Sequence, residues 1–267
     1  MPPRDGHVQG PAAETPVLWH LEISHYNEKV RWALDYKSVA HVRRAVTPAL
    51  QELTARRLHA GRTVPVLEMN GHAIGDSTKI IEAIERRWPE PPLYPVDPEE
   101  RSRALDLEDY FDEQCGHDAR RVLFNDNLAE PEKFLAMLYG ADHPRMGLLK
   151  TISPLFCHVV KRRFAIRPET VEESREKVRA AFDTIEAGVG PSGYLVGESF
   201  TVADLTAASI LAVIVVPPEF PYIKLRADER TAQSRRFRDS LKDRPGFKWV
   251  EEMYARHRGT SAELAPA

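Results

Sequence analysis

Ser24 stands where a short apolar segment gives way to a predicted helix, a position from which a hydroxyl can act on a bound anion. Residues 17–22 are mostly apolar, and residues 26–37 carry apolar side chains at helical spacing. Free N–H groups and the positive end of the helix dipole favour an anion at such a start. A bound thiol would therefore be held as its thiolate beside Ser24. The alternative is that Ser24 only caps the helix.

Two further stretches carry groups that suit a peptide-like ligand. Val64 and Pro65 begin a predicted strand, where a proline is often kept for a cis peptide bond. A cis bond would leave the backbone groups of Val64 free to pair with an extended peptide. Asp76 and Ser77 start another helix, where the carboxylate suits an ammonium group and the hydroxyl suits a carboxylate. The plainer interpretations are an edge-strand proline for the first stretch and a helix cap for the second.

The elements that must position these groups follow from the hydrophobic pattern. In the first 88 residues, this pattern and the Asn70-Gly71 turn signal predict strands over 17–22, 39–46, 64–69 and from 73, with helices over 26–37, 48–58 and 77–87. This order predicts parallel pairing through the first crossovers, joined to an antiparallel hairpin. Beyond a Pro-rich stretch the pattern predicts only helices, over 99–122, 131–138, 154–164, 171–187, 202–216 and 234–257.

The order and spacing of these motifs resemble those of the cytosolic glutathione transferases. The resemblance extends from residue 16 to residue 258, and it rests on Ser24 ahead of residues 29–31 (Lys-Val-Arg), on residues 64–67 (Val-Pro-Val-Leu) and on Asp76-Ser77. The chain is therefore identified as a serine-type member with a tau-, zeta- or omega-like N-terminal motif.

Residues 200–205 also resemble the buried capping box in the helical domain of that family. In such a box Thr201 caps a helix, Asp204 reaches back to the cap, and Phe200 packs on Leu205. The family resemblance implies an α/β thioredoxin-like N-terminal domain (βαβαββα) followed by an all-α C-terminal helical domain. The implied bounds are a flexible arm (1–15), the thiol-binding domain (16–88), a Pro-rich linker (89–98), the all-α domain (99–258) and a flexible tail (259–267).

The resemblance also implies roles for the residues of the three motifs. Ser24 would donate a hydrogen bond to the sulfur of glutathione. Val64 and Pro65 would hold the cysteinyl unit, and Asp76 with Ser77 would form the γ-glutamyl site.

Two positions depart from the family pattern. Where tau-like sequences often carry a lysine this chain has Val46, and beside the proline it has Thr63. The glycine carboxylate is therefore expected to bind Arg62, or else Arg43 or Arg44. A different low-molecular-weight thiol stays open as an alternative ligand.

The electrophile pocket is expected between the two domains. Tyr26 and Tyr110 are the aromatic residues predicted to line it, because each is close to the expected cleft.

Composition argues against several classes of function. Lys and Arg number 37 against 40 Asp and Glu, and this net charge of -3 provides no global attraction to nucleic acid or an anionic membrane. Cys115 and Cys157 lack CxxC spacing, which favours a reducing cytoplasm over a disulfide framework. Residues 205–216, the longest apolar run, fall short of the roughly 20 residues of a membrane span, and no signal peptide is predicted. We predict a cytoplasmic protein with neither nucleic acid nor membrane as partner.

Charged clusters are interpreted as surface. The stretch from Asp109 to Asp118 contains Cys115 and His117 but forms only one helical ligand pair, so it is predicted to be a solvated helix face and no metal is assigned. Arg120-Arg121 and the other paired arginines are likewise predicted to be ordinary surface residues.

The predicted function is that of a glutathione transferase-like enzyme in detoxification. Ser24 would stabilise the thiolate of glutathione, or of a related thiol, for conjugation to an electrophilic small molecule. Glutathione is then a co-substrate, no cofactor is tightly bound, and the resemblance implies a homodimer. The alternative is a non-catalytic ligand-binding or assembly protein that keeps the fold, as Val46 and Thr63 at usually basic positions suggest.

Overall fold

A four-stranded sheet with three helices forms the N-terminal half of the computed structural model, which describes residues 14–222 and 224–265. Its elements follow the predicted order βαβαββα. They are β1 (Val17–His20), α1 (His25–Tyr36), β2 (Val42–Ala45), α2 (Gln51–Arg57), β3 (Val66–Met69), β4 (His72–Gly75) and α3 (Ser77–Arg87).

The sheet has the strand order β2-β1-β3-β4 and mixed directions. Strand β1 is parallel to β2, as predicted, with Val17 opposite Val42. Strand β3 runs antiparallel to β1, so the expectation of parallel pairing through both crossovers is wrong for the second one. A strand–helix–strand pattern does not determine the direction in which the third strand enters the sheet. The β3–β4 hairpin turns at Asn70 and Gly71, whose positive φ angles of 53° and 73° fit the Asn-Gly signal.

The C-terminal half is helical. Its elements are α4 (Pro98–Asp109), a π-helical segment (Tyr110–Cys115), α5 (Gly116–Leu128), α6 (Pro131–Tyr139), α7 (Met146–Arg163), α8 (Pro168–Gly188), α9 (Val202–Val215), α10 (Ala232–Asp239) and α11 (Pro245–His257). Three predicted helices have other bounds in the structure, and the one predicted over 99–122 continues to Leu128 and contains the π-helical segment. Helix α7 begins at Met146 rather than 154, and the predicted helix 234–257 is two helices, because Pro245 starts a new one at its first turn.

Helix α9 forms the centre of the core. All of its residues are buried, and it packs against α1, α4, α5 and α11. The predicted capping box is confirmed at its start: Asp204 accepts hydrogen bonds from the Thr201 amide (2.9 Å), the Thr201 hydroxyl (2.9 Å) and the Leu195 amide (2.8 Å). Phe200 is buried and stacks on Trp32 of α1, so this box also joins the two halves of the chain.

Replacing Asp204 with alanine is expected to lower the free energy of unfolding by about 2 to 3 kcal/mol, because the amides of Thr201 and Leu195 would stay buried without an acceptor. Burial raises the pKa of Asp204 from 3.8 to about 6. The native state therefore keeps the Asp204 proton to higher pH than the unfolded chain does. The difference in the free energy of unfolding between wild type and Asp204→Ala should shrink as the pH rises through about 6.

Denaturant unfolding at several pH values measures this effect. Asp97→Ala is the matched control, since Asp97 caps α4 through the amides of Glu99 and Glu100 at an exposed position. Asp97→Ala should lower the free energy of unfolding by about 1 kcal/mol. Equal costs for the two variants would contradict the structural importance of the buried box.

The C-terminal segment after α11 is bonded to the N-terminal half, so the predicted flexible tail is wrong for residues 259–265. The Ala262 amide donates to Asp35 (2.8 Å), and the Leu264 amide donates to the carbonyl of His41 (2.8 Å). Glu263 forms a parallel bridge with His41, the residue before β2, which is one of the two edge strands of the sheet. Residues 1–13 of the predicted arm and residues 266–267 lie outside the described residues.

Candidate functional site

Ser24 occupies the N-cap position of α1 with an extended backbone (φ −79°, ψ 128°). Its amide donates to the carbonyl of Leu21 (3.1 Å), and its carbonyl accepts the amide of Glu28 (2.9 Å). The side chain makes no capping hydrogen bond. The hydroxyl at this helix start is therefore not committed to the cap that was the alternative interpretation.

Asn27 joins the Ser24 turn to the Val64 loop. Its side-chain oxygen accepts the amide of Leu21 (3.0 Å), and its side-chain nitrogen donates to the carbonyl of Val64 (3.2 Å). The Val64–Pro65 bond is cis, as the sequence predicted. Asn27 is fully buried, so this bridge is shielded from water. The sequence contains no signal for this bridge, because Asn27 and Val64 are 37 residues apart.

Asp76 and Ser77 start α3. Asp76 is the N-cap, and its carboxylate accepts the amide of Lys79 (3.2 Å), so the plainer capping interpretation is observed for it. Its φ of 73° is unusual for a residue other than glycine, and such conformations tend to occur at functional sites. Ser77 is buried.

Arg62 and Asp76 line the same cleft, which has a volume of about 490 Å³. Thr63, Gly75 and Lys79 also line it. Ser24, Val64, Pro65 and Ser77 are not among its lining residues, so the structure groups the predicted glutathione ligands only partly. The backbone of the loop containing Ala60 lies directly against Gly75, where an added Cβ atom would fall 2.0 Å from the Ala60 carbonyl oxygen.

Arg62, the residue expected to bind the glycine carboxylate, already has an anionic partner. Arg62 is exposed, and its guanidinium is paired with Glu52 (2.9 Å), which also binds Arg56 (2.7 Å). Val46 is buried in a small apolar cluster with Ala55, Val64 and Val66. A ligand carboxylate at Arg62 would therefore compete with Glu52.

The two tyrosines predicted for the electrophile pocket contact different elements. The Tyr26 hydroxyl donates to the carbonyl of Asp112 (2.9 Å), and burial raises the pKa of Tyr26. It also fills the space beside Gly116, where an added Cβ atom would lie 2.2 Å from the hydroxyl oxygen. The hydroxyl of Tyr110 instead accepts a bond from Thr184 of α8 (3.3 Å). Tyr26 thus lies between the two halves of the chain, whereas Tyr110 packs within the helical half.

Lys29 is the centre of a buried polar cluster between the halves. Its ammonium contacts Asp112 (2.5 Å), Glu108 (2.8 Å) and Thr78 (3.2 Å), and the Thr78 hydroxyl donates to Asp112 (3.0 Å). Burial lowers the pKa of Lys29, but the two carboxylates outweigh it and raise the pKa above its ordinary value. The prediction that Asp112 belongs to a solvated helix face is therefore wrong.

Asp118 is also buried, and it binds Arg121 (2.5 Å). Within the described part of the chain, no three His, Cys, Asp or Glu side chains come together as ligands for a metal ion. No helix there combines the length and the hydrophobicity that crossing a membrane requires.

Comparison with protein families matches two regions of the chain. Residues 18–92 match the model of the glutathione S-transferase N-terminal domain, and residues 168–248 match that of the glutathione S-transferase C-terminal domain. Together the two regions cover more than half of the chain.

Individual proteins are similar over most of its length. FtsZ-localized protein A of Caulobacter vibrioides is 26% identical over 235 residues, which are 86% of this chain and 88% of that protein. Glutathione transferase GSTFuA3 from Phanerochaete chrysosporium superposes with a TM-score of 0.62 at 16% identity, covering 94% and 100% of the two chains. Maleylacetoacetate isomerase from Anaeromyxobacter dehalogenans, solved with glutathione in its active site, gives 0.52 at 21% identity, with 89% of each chain covered. At these identities the solved structures show a shared fold.

Proposed function

This chain belongs to the glutathione S-transferase family, and we propose that it holds glutathione beside Ser24 and transfers the thiol to an electrophilic small molecule. The observation that supports this most is the uncapped Ser24 hydroxyl at the start of α1. Asn27 bonds the same turn to Val64, whose backbone would pair with the cysteinyl unit. The sulfur would then lie within reach of both the hydroxyl and the helix start.

The energies required are modest. A free thiol with a pKa of about 8.5 is only a few per cent ionised at pH 7, and lowering the pKa by roughly two units takes about 2.7 kcal/mol. One hydrogen bond from the Ser24 hydroxyl to the thiolate would supply about 1.5 to 3 kcal/mol, and the helix end less than about 1 kcal/mol. Proximity to the bound electrophile would provide the remaining acceleration.

The other parts of glutathione would lie along the cleft at the start of α3. Asp76 would bind the γ-glutamyl ammonium group, and Ser77 with the helix start would bind its carboxylate. Pro65 would position Val64, and Arg62 would bind the glycine carboxylate by exchanging its partner Glu52. Tyr26, at the junction of the two halves, would border the electrophile, and Tyr110 would support the wall behind it.

A second candidate is a non-catalytic binding or assembly protein. Two observations favour it: Val46 is apolar and buried, and Arg62 is already paired. The similar Caulobacter protein is named for its localisation with FtsZ, which makes a protein-binding role a reasonable second proposal. Homodimer formation and a cytoplasmic location remain predictions for either candidate, whereas glutathione as co-substrate, the lack of a tightly bound cofactor and a detoxification role are predictions for the enzyme.

Replacing Ser24 with alanine is expected to reduce turnover about ten-fold or more, because the hydrogen bond to the thiolate would be lost. The thiol of bound glutathione should also have a higher pKa in the variant than in wild type. The pH profile of the conjugation rate should therefore move to higher pH. Conjugation of glutathione to chlorodinitrobenzene, measured by absorbance across a pH series, tests both effects.

Ser102→Ala is the matched control, because Ser102 lies exposed on α4 and its hydroxyl has no part in the proposed site. Unchanged turnover in Ser24→Ala would remove Ser24 from the mechanism. Calorimetric titration with glutathione separates the two candidates. Tight binding without turnover on a panel of electrophiles would favour the second candidate, and absence of binding would contradict glutathione as the thiol.

A further inference from the structure

Arg120 of α5 lies close to the turn that carries Ser24. Gly116 and Arg120 are four residues apart and share one face of α5, and Gly116 is where Tyr26 packs so closely that no Cβ atom would fit. Arg120 is therefore one helical turn from that contact. His25, the residue after Ser24, is 2% exposed, and burial together with the charge of Arg120 lowers its pKa to about 3.

Within the described part of the chain, Arg120 has no anionic partner. Its guanidinium lies over the ring of Phe164, 4.8 Å from the centroid, and its Nε atom is buried without a hydrogen-bond partner. Arg163 lies over the same ring at 5.6 Å. Among residues 14–222 and 224–265, neither guanidinium forms an ion pair. Two cations thus converge on one aromatic ring without a carboxylate between them.

The neighbouring Arg121 shows how this fold satisfies an arginine that has a structural role. Arg121 donates to the Phe164 carbonyl (3.0 Å), to Asp118 (2.5 Å) and to Ser174 (2.7 Å). Partly buried cations are normally paired in this way, because desolvation disfavours a charge without a partner. Arg120 departs from that rule, and so does the buried His25, whose Nε2 atom also lacks a partner. A buried polar group without a partner needs an explanation, and a bound anion would provide one here.

We propose that Arg120, assisted by Arg163, binds a carboxylate group of the electrophile, so that the enzyme prefers carboxylate-bearing acceptors over neutral ones. This inference rests on the proposed function for the identity of the reaction. A planar guanidinium can bind a carboxylate through two parallel hydrogen bonds, and the Phe164 ring holds the Arg120 guanidinium in place. The Ser24 turn beside it would present the thiolate to the reacting carbon of the same molecule.

A pair of aryl chlorides that differ only in charge tests the proposal. Chlorodinitrobenzoate and its neutral amide both react by displacement: the glutathione sulfur forms a bond to the ring carbon, the carbon–chlorine bond breaks, and chloride leaves with the bonding electrons. The proton of the thiol passes to solvent. The full-length protein is used throughout, and KM and kcat are measured for each acceptor and for glutathione.

Wild type should show a lower KM for the benzoate than for the amide. Arg120→Met should raise KM for the benzoate about ten-fold or more, with little change for the amide or for glutathione. Arg120→Lys should restore part of the loss, because it returns the charge without the planar donor pair. Arg101→Met is the control, since Arg101 also stacks on a ring, that of Tyr94 at 4.9 Å, but on α4.

Four results would overturn the inference: no preference for the benzoate in wild type, equal losses on both acceptors in Arg120→Met, a raised KM for glutathione instead, or an equal effect of Arg101→Met. If Arg120→Met does not fold, Arg163→Met at the exposed end of α7 replaces it, with an expected rise in KM for the benzoate of about three-fold.

A binding measurement separates this inference from the proposed function. Dinitrobenzoate, which has no chloride to displace, is titrated into the protein by calorimetry in the absence of thiol. Binding to wild type that is lost in Arg120→Met supports the carboxylate site even if no conjugation is observed with either acceptor. Absence of binding to wild type overturns the site, whatever the transferase assay shows.

Discussion

Replacing Lys29 with methionine is expected to lower the free energy of unfolding by about 3 to 5 kcal/mol, because a buried ion cluster between the two halves of the chain would lose its cation. The Lys29 side chain has no exposed surface, and it neutralises Glu108 and Asp112, whose side chains are 3% and 8% exposed. Methionine keeps most of the apolar part of the side chain but removes the charge. Two carboxylates would then be buried close together without a cation.

The loss should weaken the docking of the halves in particular. Lys29 belongs to α1, Thr78 to α3, Glu108 to α4 and Asp112 to the π-helical segment, so one ammonium group connects four elements. Burial raises the pKa of Glu108 even with Lys29 present. Without Lys29, Glu108 is expected to take up a proton in the folded state, which would limit the loss but not abolish it.

Denaturant unfolding followed by circular dichroism and tryptophan fluorescence measures the change. Lys150→Met is the matched control, because Lys150 pairs with Glu132 at the same distance of 2.8 Å but at an exposed position. The control should change the free energy of unfolding by less than about 1 kcal/mol. Similar values for the two variants would show that the buried cluster contributes no more than a surface pair.

Arg258→Met is expected to have a comparable cost, about 3 to 5 kcal/mol. Arg258 follows α11, its side chain is 4% exposed, and it binds Glu28 (2.6 Å) and Asp35 (2.8 Å) of α1. Both carboxylates have fully buried side chains. Because 230 residues separate Arg258 from Glu28, this contact joins the segment after α11 to α1.

The same variant should change the response to acid. Burial raises the pKa of Asp35, but Arg258 and Arg43 outweigh it and hold the pKa below its ordinary value of 3.8. A depressed carboxyl pKa stabilises the fold above the ordinary value, and this contribution is lost as the pH falls through the folded-state value. Wild type should therefore lose stability below about pH 4, and Arg258→Met should show a shallower loss over that range.

Unfolding free energies from pH 7 to pH 3 test both parts. Arg86→Met is the control, since Arg86 lies 3.8 Å from Glu82 on the exposed face of α3. An acid response in Arg258→Met as steep as that of wild type would contradict the coupling of Arg258 to Asp35. If Arg258→Met lowered the free energy of unfolding no more than Arg86→Met, the buried contacts of Arg258 would not be important for stability.

Local features of the fold and site could be predicted because they depend on residues close in sequence. The Asn70-Gly71 hairpin is an example, since both residues adopt the positive φ angles that their side chains tolerate. The capping box of Thr201 and Asp204 is another, because its partners are three residues apart. Ser24 at the start of a helix also followed from the pattern of its neighbours.

Predictions failed where a side chain meets a distant partner. Asp112 was assigned to the surface because a helix rich in acids is usually solvated, whereas its cation comes from Lys29, 83 residues earlier. Arg120 and Arg121 are adjacent in sequence, yet Arg121 is fully bonded and Arg120 is not. The tail after residue 258 was expected to be flexible because its composition does not reveal the edge strand that it contacts.

The sequence by itself determined the order of the elements, the turn and cap chemistry, and the family to which the chain belongs, because hydrophobic period and local hydrogen bonding are encoded over a few residues. The tertiary structure alone decided the direction of β3, the pairing of Lys29 and Arg258, and the unpaired state of Arg120. A charged side chain has the same chemical identity in water and in the interior. Only the packing of helices from distant parts of the chain decides whether its charge is solvated, paired or left for a ligand.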